Sequence, residues 1–151
     1  RANRSGLVLM HMKGRPKTMQ KGDLSTESVL EDVLNFFESR IESALSKGLT
    51  ESQIALDPGL GFGKTFEQNL SLCRSLRKMD MFGRPIVFGM SRKSSLGDLV
   101  NRPASQRDAA SLAANLWAVQ QGAGVVRVHN VRQTVDALKV WNCLVDGDLS
   151  K

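Results

Sequence analysis

Tyrosine is absent from the sequence, no stretch is rich in Lys and Arg, and no apolar run approaches the roughly eighteen residues that a membrane-spanning helix needs. The first two absences count against a nucleic-acid surface, although 21 Lys+Arg against 15 Asp+Glu leave a net charge of +6. That excess leaves a membrane surface or small anionic substrates as the stronger options. The third absence predicts a protein that does not enter a membrane. Cysteine is scarce too: Cys73 and Cys143 stand outside any Cys-x-x-Cys pair and away from a histidine cluster. Neither a disulfide framework nor a zinc site is indicated, and a reducing compartment fits. Residues 1–6 lack the apolar stretch of a signal peptide, and Arg1 is not a methionine, so the chain is expected to be part of a longer one.

The 151 residues are 41% apolar, enough for the core of one domain. Leu7 to Met10 reads as a short buried strand, and the polar connection from Lys13 to Asp23 is a candidate functional loop. From Ser25 to Lys47, Leu30, Val33, Phe37, Ile41 and Leu45 keep helical spacing, with Gly48 where a C-terminal cap belongs. Ile54 to Leu56 is a second strand, and Thr65-x-x-Gln68 predicts a capping box opening a helix with the stripe Leu72, Leu76 and Met79. Ile86 to Met90 is a third strand. Ser105-x-x-Asp108 has the form of a capping box opening a helix over 106–121, with Ala109, Leu112, Leu116 and Val119 on one side. Val125 to Val128 is a fourth strand, and Asn130-x-x-Gln133 opens a last helix carrying Val131, Val135, Leu138 and Val145. Strand and helix thus alternate four times, which predicts an α/β fold of parallel strands with crossover helices. A (β/α)₈ barrel takes about 250 residues, so four units would be about half of one, and the pattern alone leaves a doubly wound sheet open.

Ala55 to Thr65, ALDPGLGFGKT, ends like a phosphate-binding P-loop, but the first glycine of that motif would fall at Pro58. Proline has no N–H and a fixed φ, so it cannot open the cradle. The dinucleotide pattern fails as well, because Gly59-x-Gly61-x-x leads to Lys64. An aspartate at a strand end, a glycine-rich turn and a capped helix remain.

In parallel α/β folds the site lies at the carboxyl ends of the strands, so those ends form one list: Met10-His11-Met12, Asp57, Ser91-Arg92-Lys93-Ser94, and Arg127 with His129. Residues two apart on a strand point to the same face, so Arg127 and His129 share one cavity while Val126 and Val128 face away. With the Ser91 to Ser94 segment they suit a phosphate or pyrophosphate. Asp57, acceptor-only among these cations and near Met10, Phe62 and Val87, suits a flat heterocycle presenting N–H donors. Each residue also has a plainer reading: His11 as a core histidine, Arg92 as a solvated loop charge, Asp57 as a turn carboxylate before Pro58. Their convergence at four strand ends favours a small-molecule site. Trp117 and Trp141, inside helices, are assigned to packing.

Met10 to Gln20, Asp57 to Thr65, Gly89 to Ser94 and Arg127-Val128-His129 together resemble dihydropteroate synthase, in the same order and at similar spacing, over about Leu7 to Val145. The resemblance implies that residues 1–151 are one incomplete pterin-binding domain, the C-terminal half of a TIM barrel holding its last four strands. It further implies a transferase of folate biosynthesis, the sulfonamide target, which joins 6-hydroxymethyl-7,8-dihydropterin pyrophosphate to p-aminobenzoate and releases pyrophosphate. By the same resemblance Asp57 binds the pterin N–H groups, and Met10, Phe62, Val87 and Gly89 line its pocket. Lys93 contacts the pterin, Ser94 helps hold p-aminobenzoate, and Arg127 and His129 bind the pyrophosphate with Arg92 nearby. Lys93, Arg127 and His129 are then the catalytic cations. Mg²⁺ is implied, with its ligand in the missing N-terminal half, and no metal ligand is assigned in this chain. A homodimer is implied for the complete enzyme, with this half inactive alone. Asn130 stands where many bacterial members carry Asp and is like plant-type members, so the expected compartment is cytoplasmic, with mitochondrial the alternative. The alternatives to a synthase fragment are a noncatalytic half-barrel whose edge strands pair with a complementary half, and a pterin-binding methyltransferase domain.

Overall fold

The computed structural model describes residues 5–14 and 29–146. Four parallel strands lie in sequence order in one sheet: β1 (Leu7–Met10), β2 (Ile54–Asp57), β3 (Ile86–Phe88) and β4 (Ala123–Val126). The strands are short and apolar; β2 and β3 are largely buried, whereas Val8 of β1 and Val125 of β4 are exposed. Met10 pairs with Asp57, and Leu56 with Ile86.

Helices α1 (Val29–Ser46), α2 (Phe66–Arg74), α3 (Ser94–Val100), α4 (Asp108–Gln120) and α5 (Val131–Asp146) complete the fold. Helix α1 buries Val29, Val33, Phe37 and Ala44 along one side. It ends where Gly48 takes φ 87° and the Leu49 N–H returns to the Ala44 carbonyl. The expected helix start at Ser25 and most of the loop from Lys13 to Asp23 lie outside the described residues. At Thr65 both arms of the capping box form: the Gln68 N–H donates to Thr65 Oγ1 at 3.2 Å, and the Thr65 N–H donates to Gln68 Oε1 at 3.0 Å. The core joins Phe37, Leu56, Leu72, Leu76, Met79, Ile86 and Phe88 between sheet and helices.

Several expectations are corrected. The helix begun at Thr65 does not run through Met79; it stops at Arg74, and Leu76–Phe82 continues as 3₁₀ turns. Leu76 and Met79 stay buried because residues three apart eclipse in that tighter helix. Strand β3 stops at Phe88 rather than Met90, and β4 is Ala123–Val126 rather than Val125 to Val128. The last link between them is the Arg127 N–H to the Phe88 carbonyl at 2.8 Å, so residues 127–129 leave the sheet as loop. Ser105 makes no cap; it sits in the 3₁₀ turn Ala104–Gln106, and Asp108 instead accepts from Arg92 and Asn130. The buried face of α4 is Ser111, Asn115 and Ala118, not the stripe starting at Ala109. On α5, Val131, Val135 and Val145 are exposed. Asn130 does cap that helix, its Oδ1 accepting the Gln133 N–H at 3.2 Å.

Candidate active site

The carboxyl ends of β2, β3 and β4 surround a cavity of about 300 Å³ lined by Phe62, Gly89, Ser91, Lys93, Arg127, Val128 and His129. Asp57 closes β2. Its side chain is 3% exposed, with Oδ1 accepting the Gly59 N–H at 2.7 Å and Oδ2 accepting Arg127 Nη2 at 3.1 Å. A carboxylate offers about four lone-pair positions, so two acceptor positions remain for a ligand.

Glycines fix this arrangement at two places. A Cβ on Gly89 would fall 2.8 Å from Arg127 Nη2, so its absence lets the guanidinium lie against the end of β3. Gly59, at φ 66°, approaches the His11 carbonyl more closely than any side chain would allow.

Lys93 Nζ stands 4.8 Å from the centre of the Phe62 ring and donates to the Leu60 carbonyl. Burial pushes its pKa down to about 8, with Arg127 adding to the fall and Asp57 opposing it. His129 is held through Ser91, whose hydroxyl lies 3.0 Å from Nδ1 and accepts the His129 N–H at 3.3 Å.

Of the residues expected at the site, the structure brings Phe62, Gly89, Lys93, Arg127 and His129 onto one cavity, with Asp57 bonded to Arg127 beside it. Val128 lines the cavity too, so the strand alternation expected of residues 126–129 does not hold. Val87 is buried within β3 and Met10 is half-buried at the end of β1; neither lines this cavity. Ser94 is exposed at the start of α3, also off the lining. Arg92, expected near an anion, turns to Asp108 instead, donating to both carboxylate oxygens at 2.7 and 3.0 Å from a backbone at φ 57°. These bonds hold Asp108 down to about 2.

His11 is buried with its ring edge-on to Phe36 at 5.3 Å, and burial, aided by Lys64, lowers its pKa to about 4. That matches the placement of a core histidine but not the expected bond to backbone, since buried Nδ1 has no hydrogen-bond partner among the described residues. Sequence reasoning assigned no role to Arg107, which donates from Nη1 to the carbonyls of Arg92 and Lys93 at 3.0 and 3.1 Å and so steadies the Lys93 turn. The clue available was Gly97, ten residues earlier, whose missing Cβ makes room for that guanidinium.

A second cavity, about 270 Å³ and apolar, lies away from these groups beside Cys73, Met90, Leu96, Leu99 and Trp117. Both cysteines are free, and burial pushes the Cys73 thiol up to about 12, which removes it as a nucleophile.

Fold and site together define a parallel α/β protein with a cavity ringed by Lys93, Arg127 and His129 at the carboxyl ends of its strands. The chain belongs to the pterin-binding enzyme family, whose sequence model, described as pterin binding enzyme, matches residues 1–129. It is similar to the dihydropteroate synthase of Haemophilus influenzae, 42% identical over 141 residues covering 93% of this chain and 51% of that protein. Among solved structures it is similar to Yersinia pestis dihydropteroate synthase in a sulfonamide drug complex, with a TM-score of 0.89 and 37% identity over 95% of this chain and 52% of that one. The Thermus thermophilus synthase in complex with 4-aminobenzoate gives 0.85 and 40%, over 91% of this chain and 56% of that one. The chain spans about half the length of the relatives it matches, and its four strand–helix units are half of a (β/α)₈ barrel.

Proposed function

We propose that this chain, as one incomplete pterin-binding domain, supplies the C-terminal half of a dihydropteroate synthase barrel. The observation that carries the reading is a buried, hydrogen-bonded Asp57 beside a cavity ringed by Lys93, Arg127 and His129. Asp57 accepts ring N–H donors of a dihydropterin, with Phe62 and Gly89 forming walls and Met10 and Val87 behind. The pyrophosphate lies on Arg127 and His129, and Ser94 borders the place of p-aminobenzoate.

The carbon–oxygen bond to pyrophosphate breaks first, the electron-rich dihydropterin holds the positive charge left on its methylene, and the amine nitrogen of p-aminobenzoate then forms the carbon–nitrogen bond there. The electron pair leaves with pyrophosphate, the amine gives up a proton, and Lys93, Arg127 and His129 offset the growing negative charge. Arg127 must exchange Asp57 for the phosphate as the substrate arrives; its half-exposed side chain leaves it free to do so. The resemblance implies Mg²⁺, but among the described residues no three of His, Cys, Asp and Glu could hold a metal ion. In this reading the ion's ligand lies in the N-terminal half, and no step here runs through it.

Val8 on β1 and Val125 on β4, 53% and 46% exposed, offer apolar surface at both sheet edges for the rest of a barrel. The full-length protein also forms a homodimer in this reading, supported by exposed Leu99 and Trp117 beside the apolar cavity. Sedimentation as a monomer alone would contradict that part. Cytoplasmic placement, or mitochondrial for a plant-type enzyme, belongs to the same reading; among the described residues no helix is long and apolar enough to cross a membrane. The test is pyrophosphate release by the full-length protein. Release that requires both dihydropterin pyrophosphate and p-aminobenzoate supports the reading, and release without p-aminobenzoate rejects it.

A further inference from the structure

Lys64 ends the glycine loop, yet it does not line the cavity. Its Nζ donates to the carbonyls of Gly59 at 2.9 Å, Phe62 at 3.2 Å and His11 at 3.4 Å. An ammonium group has three protons, so three carbonyls are its full complement. Two of them belong to the loop after β2 and one to the chain leaving β1. They converge because Gly59, Gly61 and Gly63 all take positive φ, at 66°, 79° and 67°, which turns the peptide planes of the loop. The same loop carries two parts of the cavity: the Gly59 N–H on Asp57, and the ring of Phe62.

We propose that Lys64 is a positioning residue for pterin recognition: its ammonium group fastens the carbonyls of His11, Gly59 and Phe62 together and so fixes the loop that orients Asp57 and places Phe62. This rests on the pterin reading given above. Lys64 touches no reacting atom and acts through Gly59 and Phe62.

The charge is held against its own desolvation. Burial lowers the Lys64 pKa from 10.5 to about 8; Asp57 and Asp32 oppose the fall, while Lys93 and Lys13 add to it. The neighbouring His11, lowered to about 4, is neutral at pH 7. Between about 8 and 10.5 the unfolded chain therefore binds the extra proton, so the penalty is fully present below pH 8 and relieved above it. An apolar replacement removes that penalty, so a loss of ligand affinity without a loss of Tm marks a role in position.

The experiment is calorimetric titration of 6-hydroxymethyl-7,8-dihydropterin into the full-length protein and its Lys64→Met variant at pH 7 and pH 9, with thermal unfolding of both. At pH 7 the variant is expected to bind about tenfold more weakly, the loss of charge-assisted hydrogen bonds that hold a site in shape, with its Tm no lower. At pH 9 the gap narrows as Lys64 loses its proton, Lys93 being common to both proteins. Equal affinity in the two proteins overturns the proposal while leaving the pterin reading intact, as does a fall in affinity that only tracks a fall in Tm. No binding by the unaltered protein overturns the pterin reading itself, and this proposal with it. Should Lys64→Met not fold, amide exchange in the unaltered protein decides. Loss of protection at Gly61 and Phe62, whose N–H groups bond Asn69 Oδ1 and the Gly59 carbonyl, beyond the intrinsic trend between pH 7 and pH 9 supports the fastening, and constant protection overturns it.

Discussion

Arg127 donates from Nη2 to Oδ2 of Asp57 at 3.1 Å, tying the end of β4 to the end of β2 across 70 residues of sequence. The pair is asymmetric: the Asp57 side chain is 3% exposed and that of Arg127 55%. The carboxylate is therefore the fixed partner and the guanidinium the mobile one. Arg127→Ala is expected to weaken binding of the pyrophosphate substrate about ten- to a hundredfold, the range for a charge-assisted contact, while sparing the free hydroxymethyl-dihydropterin. Titration of both ligands checks it, and unchanged pyrophosphate affinity would count against the anion role.

Gly59 and Gly48 share a positive φ, at 66° and 87°, but a Cβ on Gly48 has nothing within 4 Å, whereas one on Gly59 runs into the His11 carbonyl. Alanine at either position costs about 1–2 kcal/mol for the left-handed backbone. Gly59→Ala adds a collision with main chain, so urea denaturation should show it clearly less stable than Gly48→Ala. Equal losses would mean that the loop can withdraw from β1.

Lys93 titrates with opposite consequences for folding and for binding. Its pKa, lowered from 10.5 to about 8 by burial, means that the stability it contributes rises with pH between those values, since the unfolded chain holds the extra proton. Affinity for the anionic substrate should instead fall as pH rises through about 8. Pyrophosphate-substrate titrations from pH 7 to 9.5 in the full-length protein and in Lys93→Arg check this, the arginine variant having the flatter profile.

Thr65→Ala removes one arm of the capping box on α2 and should cost about 1 kcal/mol in denaturant unfolding. Because that cap sets the helix start directly after Lys64, a pterin-affinity change well beyond the stability change would show that the helix start also positions the loop.

The alternation of strands and helices was legible because each strand is a short apolar run and α1 buries Val33 and Phe37 at a helical interval. The caps at Thr65 and Asn130 were legible because they act over three residues. What escaped depends on distant partners. Asp108 does not serve a Ser105 cap because Arg92, 16 residues away, and Asn130, 22 residues away, take its carboxylate. β4 lies two residues early because its extent follows where β3 ends and where the register slips near Ile86 and Val87. Helix α3 is only seven residues, with Gly97 inside it, too short for a periodic signal. At the site, the motifs named Asp57, Lys93, Arg127 and His129, but the carbonyl partners of Lys64 lie in a fold of the backbone that no side-chain pattern announces.

The most direct test of a pterin cavity centred on Asp57 is calorimetric titration of 6-hydroxymethyl-7,8-dihydropterin and p-aminobenzoate into the full-length protein and its Asp57→Asn variant. The amide keeps the shape but replaces an acceptor oxygen with a donor, so pterin affinity should fall at least about tenfold while p-aminobenzoate affinity in the presence of pyrophosphate changes little. Equal loss of both ligands, or none, would contradict the account.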